Sequence, residues 1–166
     1  VQILMTLKAE ILGVVKMAKF GLGHIINGML GNMSETSAED LKKKYGSYLL
    51  PDEEITNGFV LIRDVVIFTD IRILYINKKD VTGKKTNFQS IYLMNIVDIE
   101  VETAGFGIDD SDVIITYLKN IQRRPFNEVT ATVKFEFPKS YEISGLYQSL
   151  ETLAYQNRLE INNMNN

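Results

Sequence analysis

Seven successive β-rich runs, short turns between them and one leucine-spaced helix at the carboxyl end predict a mainly β chain with helices. The expected architecture is a seven-stranded antiparallel β-barrel, or an orthogonal sandwich of the same strands, closed or plugged by a C-terminal helix and preceded by N-terminal helices. The 166 residues are 45% apolar, enough for one domain with a buried core. The chain divides into an amphipathic helical segment at 1–33, a barrel domain at 34–160 with a leading helix at 38–45, and a disordered tail at 161–166.

At the amino end Leu4, Leu7, Ile11, Val14, Val15 and Ala18 recur at helical spacing, with Gln2, Thr6, Gly13 and Lys16 mostly on the other side. Lys8, Glu10, Lys16 and Lys19 break the apolar run well short of the roughly 18 to 20 residues of a spanning helix, and their position inside it does not suit a secretory signal. Gly21, Gly23, Gly28 and Gly31 make the next stretch short, bent, or helical only when packed. Two readings of this segment stand. It packs on its own barrel or a sister subunit, or it lies in a membrane interface with Lys8, Lys16 and Lys19 near the headgroups.

Ser37 precedes Ala38-Glu39-Asp40-Leu41-Lys42-Lys43-Lys44-Tyr45-Gly46, which supplies a cap, an acidic first turn, a basic last turn and a glycine stop. Pro51-Asp52-Glu53-Glu54 is a turn. Strands are then expected at 59–62 and 65–69 around the two-residue turn Arg63-Asp64, and at 73–76 after the close turn Asp70-Ile71-Arg72. A loop over 77–85 leads to a fourth strand at 86–92. In the fifth, from Ile96, Val97, Ile99 and Val101 face one way while Asp98, Glu100 and Glu102 face the other. Gly105 and Gly107 end it. The sixth covers 113–117, the seventh 129–137, and Pro138 stops the run. Tyr141, Leu146, Leu150, Leu153 and Ala154 then mark an amphipathic helix through about Leu159.

The run from Arg63-Asp64 to Lys85, the pair Ser90-Ile91 and the signature Val101-Glu102-Thr103-Ala104-Gly105 resemble the bacterial pleckstrin-homology family. Leu30-Gly31-Asn32-Met33-Ser34 and Phe137-Pro138-Lys139 extend the likeness over about residues 29–155. The resemblance implies a pleckstrin-homology-like barrel, ring-like homo-oligomers and no general phosphoinositide recognition. Eukaryotic relatives that bind inositol phosphates use basic residues around a roomy first hairpin loop, whereas Arg63-Asp64 is short and offers one cation beside one anion. Two departures from the family pattern are Tyr92, where proline is frequent, and a longer loop around Arg123-Arg124.

Eighteen basic against 21 acidic residues give a net charge of −3, so no global field draws in nucleic acid, and the strand aromatics lack a basic groove beside them. The absence of cysteine excludes disulfides and thiolate chemistry and suits a cytoplasmic setting, with peripheral placement at the inner membrane face under the second reading. His24 is the only histidine, leaving little material for a catalytic triad or a histidine metal site. Gly83-Lys84-Lys85-Thr86 has Lys78 where a phosphate loop needs its first glycine, and Ile114 interrupts a calcium pattern beginning at Asp109. The expectation is no enzyme, no cofactor and no metal.

Two charged surfaces remain: a lysine loop of Lys78, Lys79, Lys84 and Lys85, and an acidic edge of Asp98, Glu100 and Glu102 that continues toward Asp109, Asp110 and Asp112. They are either solvated decoration or complementary contacts that orient one subunit on the next. The leading functional expectation is a non-catalytic module that forms homo-oligomers and binds a protein partner. The alternative is a peripheral membrane module using the N-terminal helix and the lysine loop.

Overall fold

A computed structural model of the chain describes residues 36–61, 64–78, 85–103, 110–120 and 126–163. The expectations for 1–33, His24, Arg63, Lys79, Lys84, Asp109, the Arg123-Arg124 loop and the last three residues lie outside the described residues. Helix α1 (Ala38–Tyr45) leads through a 3₁₀ turn (Gly46–Tyr48) to β1 (Ile55–Val60), β2 (Asp64–Thr69), β3 (Arg72–Lys78) and β4 (Thr86–Tyr92). A second 3₁₀ turn (Leu93–Asn95) precedes β5 (Ile96–Glu102), β6 (Ser111–Leu118), β7 (Thr130–Phe137) and helix α2 (Ser144–Asn163). The expected cap on α1 forms: Asp40 N–H donates to Ser37 Oγ at 3.1 Å.

All seven expected strands are present, but they do not close into one barrel. They form two antiparallel sheets, β1-β2-β3-β4 and β5-β6-β7, and no strand pair joins the sheets among the described residues. The physical reason lies at the β4–β5 corner. There the chain takes a 3₁₀ turn, and the buried Asn157 of α2 donates to the carbonyls of Leu93 at 2.8 Å and Ile96 at 2.7 Å. A helix side chain thus satisfies polar groups that a continuing strand would have paired.

The main core fills the space between the sheets. Phe59, Val66, Phe68, Ile73 and Ile91 from one sheet meet Ile99, Val113, Ile115, Val133, Phe135 and Phe137 from the other, and Leu146, Leu150 and Leu153 of α2 plug it. Phe59 meets Phe68, Phe137 and Tyr141 edge to face, with ring centroids 6.0, 5.3 and 6.0 Å apart. A second cluster lies on the other face of the four-stranded sheet, where Leu41 and Tyr45 of α1 cover Val65, Ile67, Leu74 and Ile76. Burial on both faces explains why β2 reads as a continuous apolar run while β7 alternates.

β1 begins at Ile55, where the sequence changes to strand period and ahead of the apolar run expected at 59–62, and ends at Val60. Asn57 and Gly58 have little strand propensity, and pairing with Phe68 and Ile67 of β2 places them there. Gly58 leaves room for α1: a Cβ at this position would lie 2.1 Å from Leu41 Cδ1, so the buried Leu41 side chain would have to move. At the other end of the domain α2 continues to Asn163, past the expected Leu159.

Candidate interaction surface

Arg72 and Glu53 fix the frame on which the surface is displayed. Arg72 Nε donates to Glu53 Oε1 at 2.8 Å and Nη2 to Oε2 at 2.9 Å, while its remaining donors reach Ser90 Oγ at 2.6 Å and the Tyr48 carbonyl at 2.7 Å. Leu50 N–H and Thr69 Oγ1 each donate to the same carboxylate at 2.7 Å. Burial alone pushes Glu53 upward, but these hydrogen bonds and the Arg72 charge outweigh it and hold the carboxyl below its ordinary range. The connection between α1 and β1 is thereby tied to β3 and β4.

At the base of the first hairpin Val60 is paired to Val65, and Leu61 N–H donates to the Asp64 carbonyl at 2.8 Å. Asp64 accepts the Tyr75 hydroxyl proton at 2.8 Å, and Tyr75 accepts from Asn77 at 2.8 Å. Burial, with the hydrogen bond and charge of Asp64, holds the Tyr75 phenol above its ordinary range despite the Asn77 donation. A carboxylate at this hairpin repels a phosphate.

Asp98, Glu100 and Glu102 stand exposed on the outer face of β5, as their alternation requires. Asp98 meets Arg158 Nη2 of α2 at 3.4 Å, so part of its charge is balanced within the chain. Cross-strand register adds residues that the β5 pattern alone does not reveal. Glu102 lies opposite Asp112, and Asp112 opposite Glu136, on the same outward face of β5, β6 and β7. Lys134 pairs with Asp112 there, and that hydrogen bond raises its pKa. Reading β6 and β7 with the parity of β5 would have found Asp112 and Glu136 together. Lys78 ends β3 opposite Thr86, and Lys85 is exposed just before β4, on the other sheet from the acidic face. Among the described residues the two groups of charges are not brought together by strand pairing.

Among the described residues no cluster of three or more His, Cys, Asp or Glu side chains is arranged to hold a metal ion, and no helix is long and apolar enough to cross a membrane.

The profile of the bacterial PH domain family matches residues 24–154. The uncharacterized protein YjqA of Bacillus subtilis (strain 168) is 42% identical over 85 residues, which span 51% of this chain and 68% of that protein. The pleckstrin homology domain from Shewanella amazonensis SB2B superposes with a TM-score of 0.58 at 26% identity, covering 78% of this chain and 97% of that one. A pleckstrin-homology protein from Shewanella loihica PV-4 gives 0.57 at 24% identity over 73% and 96% of the two chains. A PH-domain protein from Exiguobacterium sibiricum 255-15 gives 0.57 at 18% identity over 78% and 69%. The last two likenesses speak to the fold alone. With a profile spanning most of its length and two sheets plugged by a C-terminal helix, the chain belongs to the bacterial PH domain family.

Proposed function

We propose that the domain is a non-catalytic interaction module that assembles head to tail into a homo-oligomer, ring-like where the rotation closes, and offers its remaining surface to a protein partner. The observation that supports this reading is the acidic outer face of the three-stranded sheet. Asp98, Glu100, Glu102, Asp112 and Glu136 share that face with Lys134, while a loop of opposite sign, including Lys85, joins strands of the four-stranded sheet. Patches of opposite sign at different places on one chain favour a heterologous contact between copies and fix its register. Family membership agrees, since PH-like domains generally serve protein and lipid interaction. In this reading the lysine loop of one copy (Lys78, Lys79, Lys84 and Lys85) docks on Asp98, Glu100 and Glu102 of the next.

Light-scattering mass determination tests the assembly. The full chain is expected to show a mass several times that of the 18.9 kDa protomer. Lys84→Glu with Lys85→Glu should lower it, and raised salt should act in the same direction. Flotation with anionic vesicles tests the competing use of the same lysines. Retention of the full chain on vesicles at low salt, lost on removal of residues 1–33, would favour the membrane module instead.

A further inference from the structure

The side of α2 turned from the core carries a row of large side chains at four-residue spacing. Leu146, Leu150 and Leu153 point into the core, while Tyr147, Glu151, Tyr155 and Leu159 follow one another along the outer flank. Tyr155 is 60% exposed, Leu159 45% and Tyr147 38%, so this flank keeps two aromatic rings and a leucine in water. Tyr147, Gln148, Glu151, Thr152 and Tyr155 line a shallow hollow of about 460 Å³ on it. In that hollow Glu151 Oε2 is shut off from solvent and accepts no hydrogen bond. A buried carboxylate oxygen without a donor is costly, and a cation is the group that best relieves it. The arginine of the same helix does not do so, because Arg158 donates to the Val97 carbonyl at 2.6 Å and meets Asp98 at 3.4 Å.

The chain carries a segment with the complementary pattern. Leu7, Ile11 and Val15 form a four-residue row, Leu4, Val14 and Ala18 widen it, and Lys8 stands at its border. As a helix, Leu4 to Ala18 would extend about 21 Å, against about 18 Å from Tyr147 to Leu159. Lys8 lies between Leu7 and Ile11 in the first row, as Glu151 lies between Tyr147 and Tyr155 in the second. The family profile covers residues 24–154 and leaves this amphipathic stretch outside the shared domain. From Lys19 to Thr36, just ahead of α1, the connection can span up to about 60 Å when extended, which lets the segment reach α2.

We propose that residues 4–18 dock as a helix on the outer flank of α2 in their own chain, with Leu7, Ile11 and Val15 against Tyr147, Tyr155 and Leu159 and Lys8 Nζ donating to Glu151. The contact covers the apolar face of the segment and supplies the donor that Glu151 lacks. The same apolar face would enter a membrane interface, so docking and membrane binding exclude each other. Neither the lysine loop nor the acidic face of the three-stranded sheet takes part, and the contact is therefore independent of the assembly reading.

Limited trypsin digestion of the full chain, without vesicles, tests the docking through cleavage after Lys16 and Lys19. Glu151→Lys, Lys8→Glu and Tyr155→Ala should each speed that cleavage about tenfold, because proteolysis follows the population of the undocked segment. Glu151→Lys combined with Lys8→Glu should restore the wild-type rate. Cleavage after Lys134, inside β7, should stay unchanged throughout and report an intact barrel. The Lys84→Glu with Lys85→Glu chain should keep its amino-terminal protection. Wild-type cleavage as fast as in the single variants, no recovery in the charge-swapped pair, or protection that appears only with anionic vesicles would overturn the proposal. Protection that fades on dilution would place the segment on a neighbouring copy and overturn its assignment to its own chain.

Discussion

Glu53 is ionised although its side chain is fully withdrawn from water, because Arg72 meets both of its oxygens. Replacing it by glutamine leaves the Arg72 guanidinium buried without a counter-charge, and breaking a pair in this way costs about 3–5 kcal/mol. Urea denaturation of Glu53→Gln at neutral pH should show that loss in the midpoint. The pH dependence has a defined sign. The folded carboxyl titrates below the unfolded one, so the stabilisation is complete above the unfolded value, near pH 4.3, and is lost as the pH falls through the folded value. The acid side of the stability profile should therefore be shallower in Glu53→Gln. Neither role was legible in the sequence. Glu53 reads as a turn acid after Pro51, and Arg72 as the end of the Asp70-Ile71-Arg72 turn. They are joined across 19 residues by tertiary packing alone.

At the scale of elements, legibility followed burial. β5 and β7 belong to a sheet with one wet face, so their alternation placed them nearly to the residue, and the caps of α1 placed that helix. β1 carries the least regular strand pattern, because Gly58 lies within it. The lack of a side chain at Gly58 makes room for Leu41, whose contact with β1 no local pattern encodes. Gly58→Val should consequently dislodge α1, with an overpacking cost of about 1–3 kcal/mol. Part of that loss should return in the double variant with Leu41→Ala, and limited proteolysis near α1 would report both effects. The choice between one closed barrel and two sheets was not legible. Strand patterns give faces and not partners, and the corner at Leu93–Asn95 depends on Asn157, 64 residues from the Leu93 carbonyl that it caps.

At the scale of the whole molecule, the acidic edge was legible as Asp98, Glu100 and Glu102. Its extension to Asp112 and Glu136 needed the register of three strands, and the partial neutralisation of Asp98 by Arg158 needed the packing of α2. A face of this charge, carried by a domain with a cationic loop elsewhere, makes assembly a question of complementary pairs. The decisive measurement is therefore the mass of mixed charge-reversed chains. Lys84→Glu with Lys85→Glu gives a chain acidic at both surfaces, and Glu100→Lys, Glu102→Lys and Glu136→Lys together give one whose sheet face is basic. Each alone faces copies of like charge and should scatter as a low-mass species. Mixed in equal amounts, each loop meets a face of opposite sign, and light scattering should show the wild-type mass restored. Wild-type chains that remain monomeric at micromolar concentration, or charge-reversed chains that assemble as well alone as mixed, would contradict the account.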